Sequence, residues 1–285
     1  MRSFDKIPVC GGTDRSHDEN ASAEILSRDL RFFSVDTVSG ENFDPRTRLI
    51  AYAAVAKSGV FISLGGESPR CTLLAPDCDF MQCLDALAKK WDMAKNNGFH
   101  SHTHGLPADF GGRLTMRYAS GEYVSKSNNQ SPILESGAPD AICELFTKAL
   151  DTYPRAALPS SDDVISLEYR EESGHACSLR TFEIREDHVH LFSMDRYSSG
   201  GTYEKETDLN LQTFDRIRED ARRLCVFGLQ GLEEYHPASL RLSDESLTYV
   251  LKDGSRISLP HVYGINESLN GLHFHTKNYL DSLFN

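Results

Sequence analysis

The chain of 285 residues is long enough for two domains of ordinary size, each with its own hydrophobic core. Its 42 acidic and 30 basic residues give a formal net charge of −12, which repels phosphate backbones and anionic lipids. We therefore expect no nucleic acid partner.

The N-terminal segment is polar and shows no hydrophobic periodicity. We predict that residues 1–22 form a flexible tail. This segment also lacks the apolar core of a signal peptide, and no stretch nearby is long enough to span a bilayer. The sequence therefore predicts a cytoplasmic protein without a membrane partner.

A first unit is predicted over residues 23–150. Aromatic and β-branched runs at 30–40, 46–57 and 59–65 indicate three antiparallel strands. A helix follows them, because apolar residues recur at steps of three and four and form one stripe that can lie on a sheet. The residues of this stripe are Met81, Leu84, Ala88 and Trp91.

A hairpin and a closing helix complete the first unit. The hairpin spans 113–125, and Ser120-Gly121 at its tip indicates a tight turn. A strict two-residue loop would put Val124 on the face opposite Met116, so either both faces are partly covered or a bulge intervenes. The closing helix is predicted over 138–150.

The same pattern recurs 133 positions later (214 − 81) without a gap. Met81 aligns with Phe214, Leu114 with Leu247, Gly121 with Gly254 and Leu150 with Leu283. Such spacing predicts a tandem duplication. We expect an α+β fold of two similar units, 23–150 and 163–285, joined by a linker at 151–162. Each unit is predicted to be an antiparallel sheet, in the order β-β-β-α-β-β-α, with its helices packed on one face.

Several motifs of the first unit occur together in a known family. They are Trp91, the step Asn97-Gly98-Phe99, a hairpin from Gly112 to Gly121 with the pattern Gly-x-Leu-x-x-x-Tyr-x-x-Gly, and the loop Asn128-Asn129. With these motifs the chain resembles a family of small α+β proteins of uncharacterised function that is common in gut bacteria. The resemblance implies a bacterial protein with this architecture, and it implies no catalytic residues.

The histidines form pairs that could hold a metal. His100, His102 and His104 alternate along one segment, and His-x-His presents two imidazoles to one ion. Further pairs are His188/His190 and His273/His275. With a carboxylate such as Asp109 or Asp195, such pairs bind Zn²⁺ and lower the pKa of a bound water. The alternatives are polar loop histidines and a pH sensor.

A second candidate site is the polar loop that follows the first hairpin. Asn128, Asn129 and Gln130 offer hydrogen-bond donors and acceptors beside the hairpin edge, which suits a peptide or a polar ligand. Tyr118 and Tyr123 could anchor such a partner. The alternative is an ordinary polar turn, with tyrosines that cover a core.

Two functional hypotheses follow. We favour a non-enzymatic binding protein without a cofactor, whose partner is a protein or a peptide. The second hypothesis is a metal-dependent hydrolase in which the paired histidines hold zinc. The sequence leaves the identity of the partner and the oligomeric state open.

Overall fold

A computed structural model describes residues 12–22, 24–38, 48–65, 69–106, 111–173, 176–223, 225–229 and 242–262. The strands are β1 (Thr13–His17), β2 (Leu30–Val38), β3 (Arg48–Ala56), β4 (Gly59–Leu64), β5 (Arg70–Leu74), β6 (Phe99–Thr103), β7 (Gly112–Tyr118), β8 (Tyr123–Asn128), β9 (Val164–Ser173), β10 (Ala176–Arg185), β11 (His188–Tyr197), β12 (Thr202–Asn210), β13 (Leu242–Leu251) and β14 (Arg256–Val262). The helices are α1 (Phe80–Lys90), α2 (Ala138–Thr152) and α3 (Gln212–Arg223), with short 3₁₀ helices at Ser161–Asp163 and Val226–Leu229.

The described chain is mostly β-structure, with 14 strands in two sheets and three α-helices. The predicted α+β class, with helices as a main component of each unit, is therefore wrong. The difference comes from strands that the sequence pattern did not reveal, namely β1, β5, β6 and β12. Three of these lie at the end of a sheet, and two of the three, β1 and β12, are largely exposed there, so their sequences need few apolar residues.

The two sheets share an order of strands. The first has the order β1-β6-β8-β7-β2-β3-β4-β5, and the second has the order β12-β11-β10-β9-β13-β14. Six neighbouring strands of the first sheet, β5-β4-β3-β2-β7-β8, match the whole second sheet. If the six strands of each run are numbered by their position along the chain, both runs read 4-3-2-1-5-6. A duplicated chain would produce this correspondence, and the duplication itself stays a prediction.

By its contacts the described chain divides into two compact units. The first lies within Met1–Ala53 and Asp79–Asp151, and the second within Ala54–Cys78 and Thr152–Asn285. This division differs from the predicted boundaries, because 54–78 group with the second unit. The predicted second closing helix, near Leu283, lies outside the described residues.

Aromatic side chains fill the core of the first unit. The ring of Phe146 on α2 meets that of Phe80 on α1 edge to face, with 5.1 Å between centroids, and lies 6.2 Å from Phe33 on β2. All three side chains are fully buried. The predicted helical stripe is confirmed for Met81, Leu84 and Ala88, which are buried, while Trp91 follows the helix and is half-buried.

The second unit buries the apolar face of α3. Phe214, Ile217 and Ala221 of this helix are buried, as the pattern predicted. Leu167 of β9 and Leu191 of β11 both lie opposite Phe182 of β10, so the three side chains share one face of the sheet. All three are fully buried. The helix therefore buries one amphipathic stripe, and the sheet buries one alternating face.

Both predicted hairpins use a three-residue loop. The Tyr118 N–H donates to the Glu122 carbonyl at 3.0 Å, and Gly121 has a φ of +91°. The Leu251 N–H donates to the Ser255 carbonyl at 2.9 Å, in the same arrangement. A left-handed glycine forms the bulge that such loops need. Val124 consequently pairs with Met116 and shares its face, so the strict two-residue loop is replaced by the bulged alternative.

The predicted N-terminal tail contains a strand. β1 pairs antiparallel with β6, so that Ser16 lies opposite His100. The five side chains of β1 are exposed, which explains why no hydrophobic pattern revealed the strand. After β1, the Asp18 N–H donates to the Gly98 carbonyl at 2.9 Å. Backbone groups of the neighbouring segment thus hold this part of the chain in place.

One cation lies in the core of the first unit. Lys126 of β8 is opposite Leu114 on the buried face of the sheet and is only 6% exposed. Its Nζ donates to the Lys95 carbonyl at 2.9 Å. Burial lowers the pKa of Lys126 from 10.5 to about 8, because desolvation penalises the charged amine.

We predict that Lys126→Met alters the pH dependence of stability. Between about pH 8 and pH 10.5 the unfolded wild type binds more protons at residue 126 than the folded one, so its free energy of unfolding rises with pH. The variant lacks this rise, which amounts to up to about 3 kcal/mol. Urea unfolding of both proteins at pH 7.5, 8.5, 9.5 and 10 measures it. Equal slopes with pH would contradict the buried charge.

Candidate functional site

The predicted metal-binding histidines lie on and just after β6. His100 and His102 alternate with Ser101 along the strand and therefore point to the same side. His104 follows the strand directly. The segment is thus extended, as the spacing of the histidines requires.

The side chains next to these histidines do not complete a metal site. His100 Nδ1 is 2.9 Å from Ser127 Oγ, and burial lowers the pKa of His100, with a smaller contribution from the Arg113 charge. His104 Nε2 is 2.8 Å from Asp14 Oδ2, and its ring meets that of His102 edge to face at 5.3 Å. Among the described residues, no three His, Cys, Asp or Glu side chains converge as a metal site would require.

The pair His188/His190 lies on β11 and shares one carboxylate. Asp208 Oδ1, on the neighbouring β12, is 3.0 Å from His190 Nδ1 and 3.6 Å from His188 Nε2. The hydrogen bond from His190 lowers the pKa of Asp208. Asp195, a predicted carboxylate ligand, instead pairs with both guanidinium nitrogens of Arg180 at 3.0 and 3.1 Å.

The remaining predicted metal ligands fall outside the described part of the chain. These are the pair His273/His275 and the carboxylate Asp109.

The predicted ligand-binding amides mostly hold the fold. Asn129 is 3% exposed and clamps the backbone of Thr103, since its Oδ1 accepts from the Thr103 N–H at 2.8 Å and its Nδ2 donates to the carbonyl at 3.0 Å. Asn128 Oδ1 accepts from the Gln130 N–H at 2.8 Å and forms a local turn. The Gln130 side chain is exposed. The hairpin edge beside this loop is covered, because β6 pairs in parallel with β8.

The two predicted tyrosine anchors make internal contacts. Tyr118 is 5% exposed, and its hydroxyl donates to Asp85 Oδ1 at 3.0 Å. Burial and the Asp85 charge raise the pKa of Tyr118, so its hydroxyl remains a donor at neutral pH. The Tyr123 hydroxyl donates to Asp18, which raises the pKa of Tyr123 and lowers that of Asp18.

A cavity of about 270 Å³ lies beside Tyr118 in the first unit. Lys89 on its wall binds the buried Asp85 carboxylate at 2.8 Å and the Ser27 carbonyl at 2.6 Å. Met93, Met116 and Val124 supply apolar surface to the same wall. Lys89 and Tyr118 are both engaged by Asp85, and the described lining residues include no nucleophile–base pair.

Asn97, which the sequence indicated only as part of the motif Asn97-Gly98-Phe99, has a structural role. The Asn97 side chain is 4% exposed and donates to the carbonyls of Ser22 and Tyr123 at 2.8 and 2.7 Å. Its Oδ1 accepts from the Ser125 N–H at 2.8 Å. Three chain segments therefore meet at the side-chain amide of Asn97. The sequence feature that could have revealed this role is its position in Asn96-Asn97-Gly98, after an apolar helix.

β12 is a long exposed strand at the end of the second sheet. Within the described residues it pairs with β11 alone, and seven of its nine residues are exposed in the pattern eeeeeieie. Glu204, Glu206 and Asp208 alternate along it and share one face. Glu204 and Glu206 take part in none of the ion pairs found in the described chain.

The corresponding strand of the first sheet is covered. The Ala75 N–H, just after β5, donates to the Pro154 carbonyl at 2.8 Å, and the Ala156 N–H donates to the Leu73 carbonyl at 2.9 Å. Leu74 of β5 forms an antiparallel bridge with Arg155. An extended segment of the same chain thus occupies the outer side of β5, while β12 has no such cover in the described residues.

No protein-family model, curated protein or solved structure matches this chain. The resemblance to the family of gut bacteria therefore stays a prediction. None of the described helices is long and apolar enough to cross a membrane.

We predict that Asn129→Ala destabilises the fold, whereas Gln130→Ala does not. The first change removes both side-chain hydrogen bonds to the half-buried backbone of Thr103 and leaves its N–H without the Asn129 acceptor, which costs about 1–3 kcal/mol. The second change removes an exposed side chain and stays within about 0.5 kcal/mol. Urea unfolding measures both variants. A stable Asn129→Ala protein would show that the amide is not a structural clamp and would return it to the candidate binding residues.

Proposed function

We propose that this protein acts by binding a polypeptide partner, which pairs with the outer side of β12. The observation that carries the proposal is the nine-residue strand at the end of the second sheet, whose outer side is open among the described residues. A row of unpaired backbone N–H and carbonyl groups is a template for another strand. Partners that add a strand gain main-chain hydrogen bonds without a preformed pocket.

Other strand ends of the described chain are less suited to a partner. β1 has five residues and β14 has seven, against nine in β12, and β5 is covered by the segment 154–156. Internal contacts engage five of the residues that the sequence had suggested as sites, namely His100, His104, Asn129 and the two tyrosines. These contacts support a scaffold that presents a strand, rather than a catalytic centre.

A crosslinking experiment tests the proposal. A photoreactive residue in place of Glu206 on β12 is expected to capture a discrete polypeptide in the native cells, and the same residue in place of Glu144 on α2 is not. The captured protein is then purified and its dissociation constant is measured. Glu206→Pro is expected to weaken binding strongly, since proline lacks an N–H and is tolerated on an outer strand. Equal capture at both positions, or unchanged affinity, would overturn the proposal.

Metal analysis tests the alternative, a metal-dependent hydrolase. We expect protein purified without a histidine tag to contain no stoichiometric zinc, and its melting temperature to be unchanged by a chelator. A structural or catalytic ion would raise the melting temperature of the loaded protein. Stoichiometric zinc that disappears in His102→Ala would replace the binding proposal with the hydrolase.

A further inference from the structure

We infer that the partner of β12 is a basic extended segment, with Lys or Arg at alternate positions, that adds to the strand in antiparallel orientation. The inference rests on the proposed function, and it specifies the chemistry of the partner. It is carried by the coincidence of two features on β12. The residues whose backbone groups point outward are the same residues that carry the acidic side chains.

The direction of the backbone groups follows from the β11–β12 hairpin. The Tyr197 N–H donates to the Gly201 carbonyl at 2.9 Å, so these residues bond to each other across the hairpin. In an antiparallel pair, residues that bond across the pair alternate with residues whose N–H and carbonyl point away. From the observed register, Tyr203, Lys205 and Thr207 bond to β11, while Glu204, Glu206 and Asp208 direct their backbone groups outward.

The acidic side chains lie in one row on one face of the sheet. In the register with β11, Glu204, Glu206 and Asp208 are opposite Met194, Phe192 and His190. An added antiparallel strand would place every second residue directly opposite one of the three acids. Opposite charges at such positions attract, and like charges repel, so Lys or Arg is favoured there.

An aromatic pair marks one end of the same strand. Tyr203 is 69% exposed and Tyr197 is 47% exposed, and their rings lie 6.1 Å apart on the face opposite the acids. The partner residue opposite Tyr203 follows the basic residue opposite Glu204. An apolar side chain at that position would cover the exposed rings. The expected segment is therefore three alternating basic residues followed by an apolar one.

Charge argues against a second copy of this chain as the occupant. Two copies of β12 that overlap along their whole length in antiparallel orientation would be centred on Glu206. Glu206 would then face Glu206 of the other copy, and Glu204 would face Asp208. Three acidic pairs on one face destabilise such a dimer, as charges on exposed strands commonly do.

The first sheet provides an internal example of strand addition. β5 and β12 occupy corresponding places in the shared strand order, and the segment Pro154–Ala156 lies along the outer side of β5. The sheet therefore accepts an added extended segment at this place. On β12 the described chain supplies none, and we place the partner there.

The experiment uses the full-length protein and synthetic peptides. The probe is Thr-Lys-Thr-Lys-Thr-Lys-Val-Thr, and its control, Lys-Lys-Lys-Thr-Thr-Thr-Val-Thr, has the same composition without the alternation. Calorimetry at 0.15 M salt gives affinity, and NMR gives exchange rates of individual backbone amides. We expect the probe to bind at least about tenfold more tightly than the control peptide. It should slow exchange at Glu204, Glu206 and Asp208, while Lys205 and Thr207 are already slow in the free protein.

Two charge variants locate the binding. The double variant Glu204→Lys with Glu206→Lys replaces two attractive charge pairs by repulsive ones. It is expected to lower the affinity for the probe peptide at least about tenfold. The matched control is Glu19→Lys with Glu144→Lys, which makes the same change of net charge at two exposed positions of the first unit and should leave affinity within about threefold.

Each other outcome overturns the inference and is distinguishable from failure of the proposed function. Equal binding of both peptides, or equal weakening by both double variants, would indicate diffuse electrostatic attraction. Protection of the outward amides before any peptide is added would show that β12 is already covered, by this chain or, if the protection depends on protein concentration, by a second copy. Absence of peptide binding would refute the basic partner, while crosslinking from position 206 would still decide whether a polypeptide binds there.

Discussion

The need of every strand for hydrogen-bond partners along both sides organises this structure. Backbone N–H and carbonyl groups that lose water must find partners, and the end strand of a sheet leaves one row of them unmatched. Three ends of the two sheets illustrate different solutions. A short exposed strand, β1, ends the first sheet on one side, an added segment of the chain covers β5 on the other, and charged side chains line β12.

Buried amides extend the same principle to the irregular segments. Asn97 satisfies backbone groups of Ser22, Tyr123 and Ser125, and Asn129 satisfies both groups of Thr103. Each amide can donate and accept at once, which a carboxylate or a hydroxyl of similar size cannot do with the same geometry. Asn129, a residue of the predicted binding loop, is thus used to hold the end of β6, and Asn97 joins the N-terminal segment to the hairpin.

The elements predicted correctly from the sequence are those with the clearest hydrophobic patterns. The helical stripes through Met81 and Phe214 were readable because a helix packed on a sheet must bury one face, and both residues are indeed buried. β12 was missed because Thr202–Asn210 has charges where a half-buried strand would alternate with apolar residues. β6 was seen only as a histidine pattern. The α+β class was wrong for this reason, since the strands that shift the balance are mostly those that carry little apolar signal.

The same argument explains why the candidate site moved from the first unit to the second. A sequence pattern identifies residue types suited to binding, but it does not show which of their polar groups the fold already uses. Asn129, Tyr118 and Tyr123 have suitable chemistry and internal partners. Glu204 and Glu206 belong to none of the sequence motifs, yet their side chains are exposed and their backbone groups point away from β11. Backbone groups without a partner are the better guide to binding, and among the described residues β12 presents a row of them beside an acidic face.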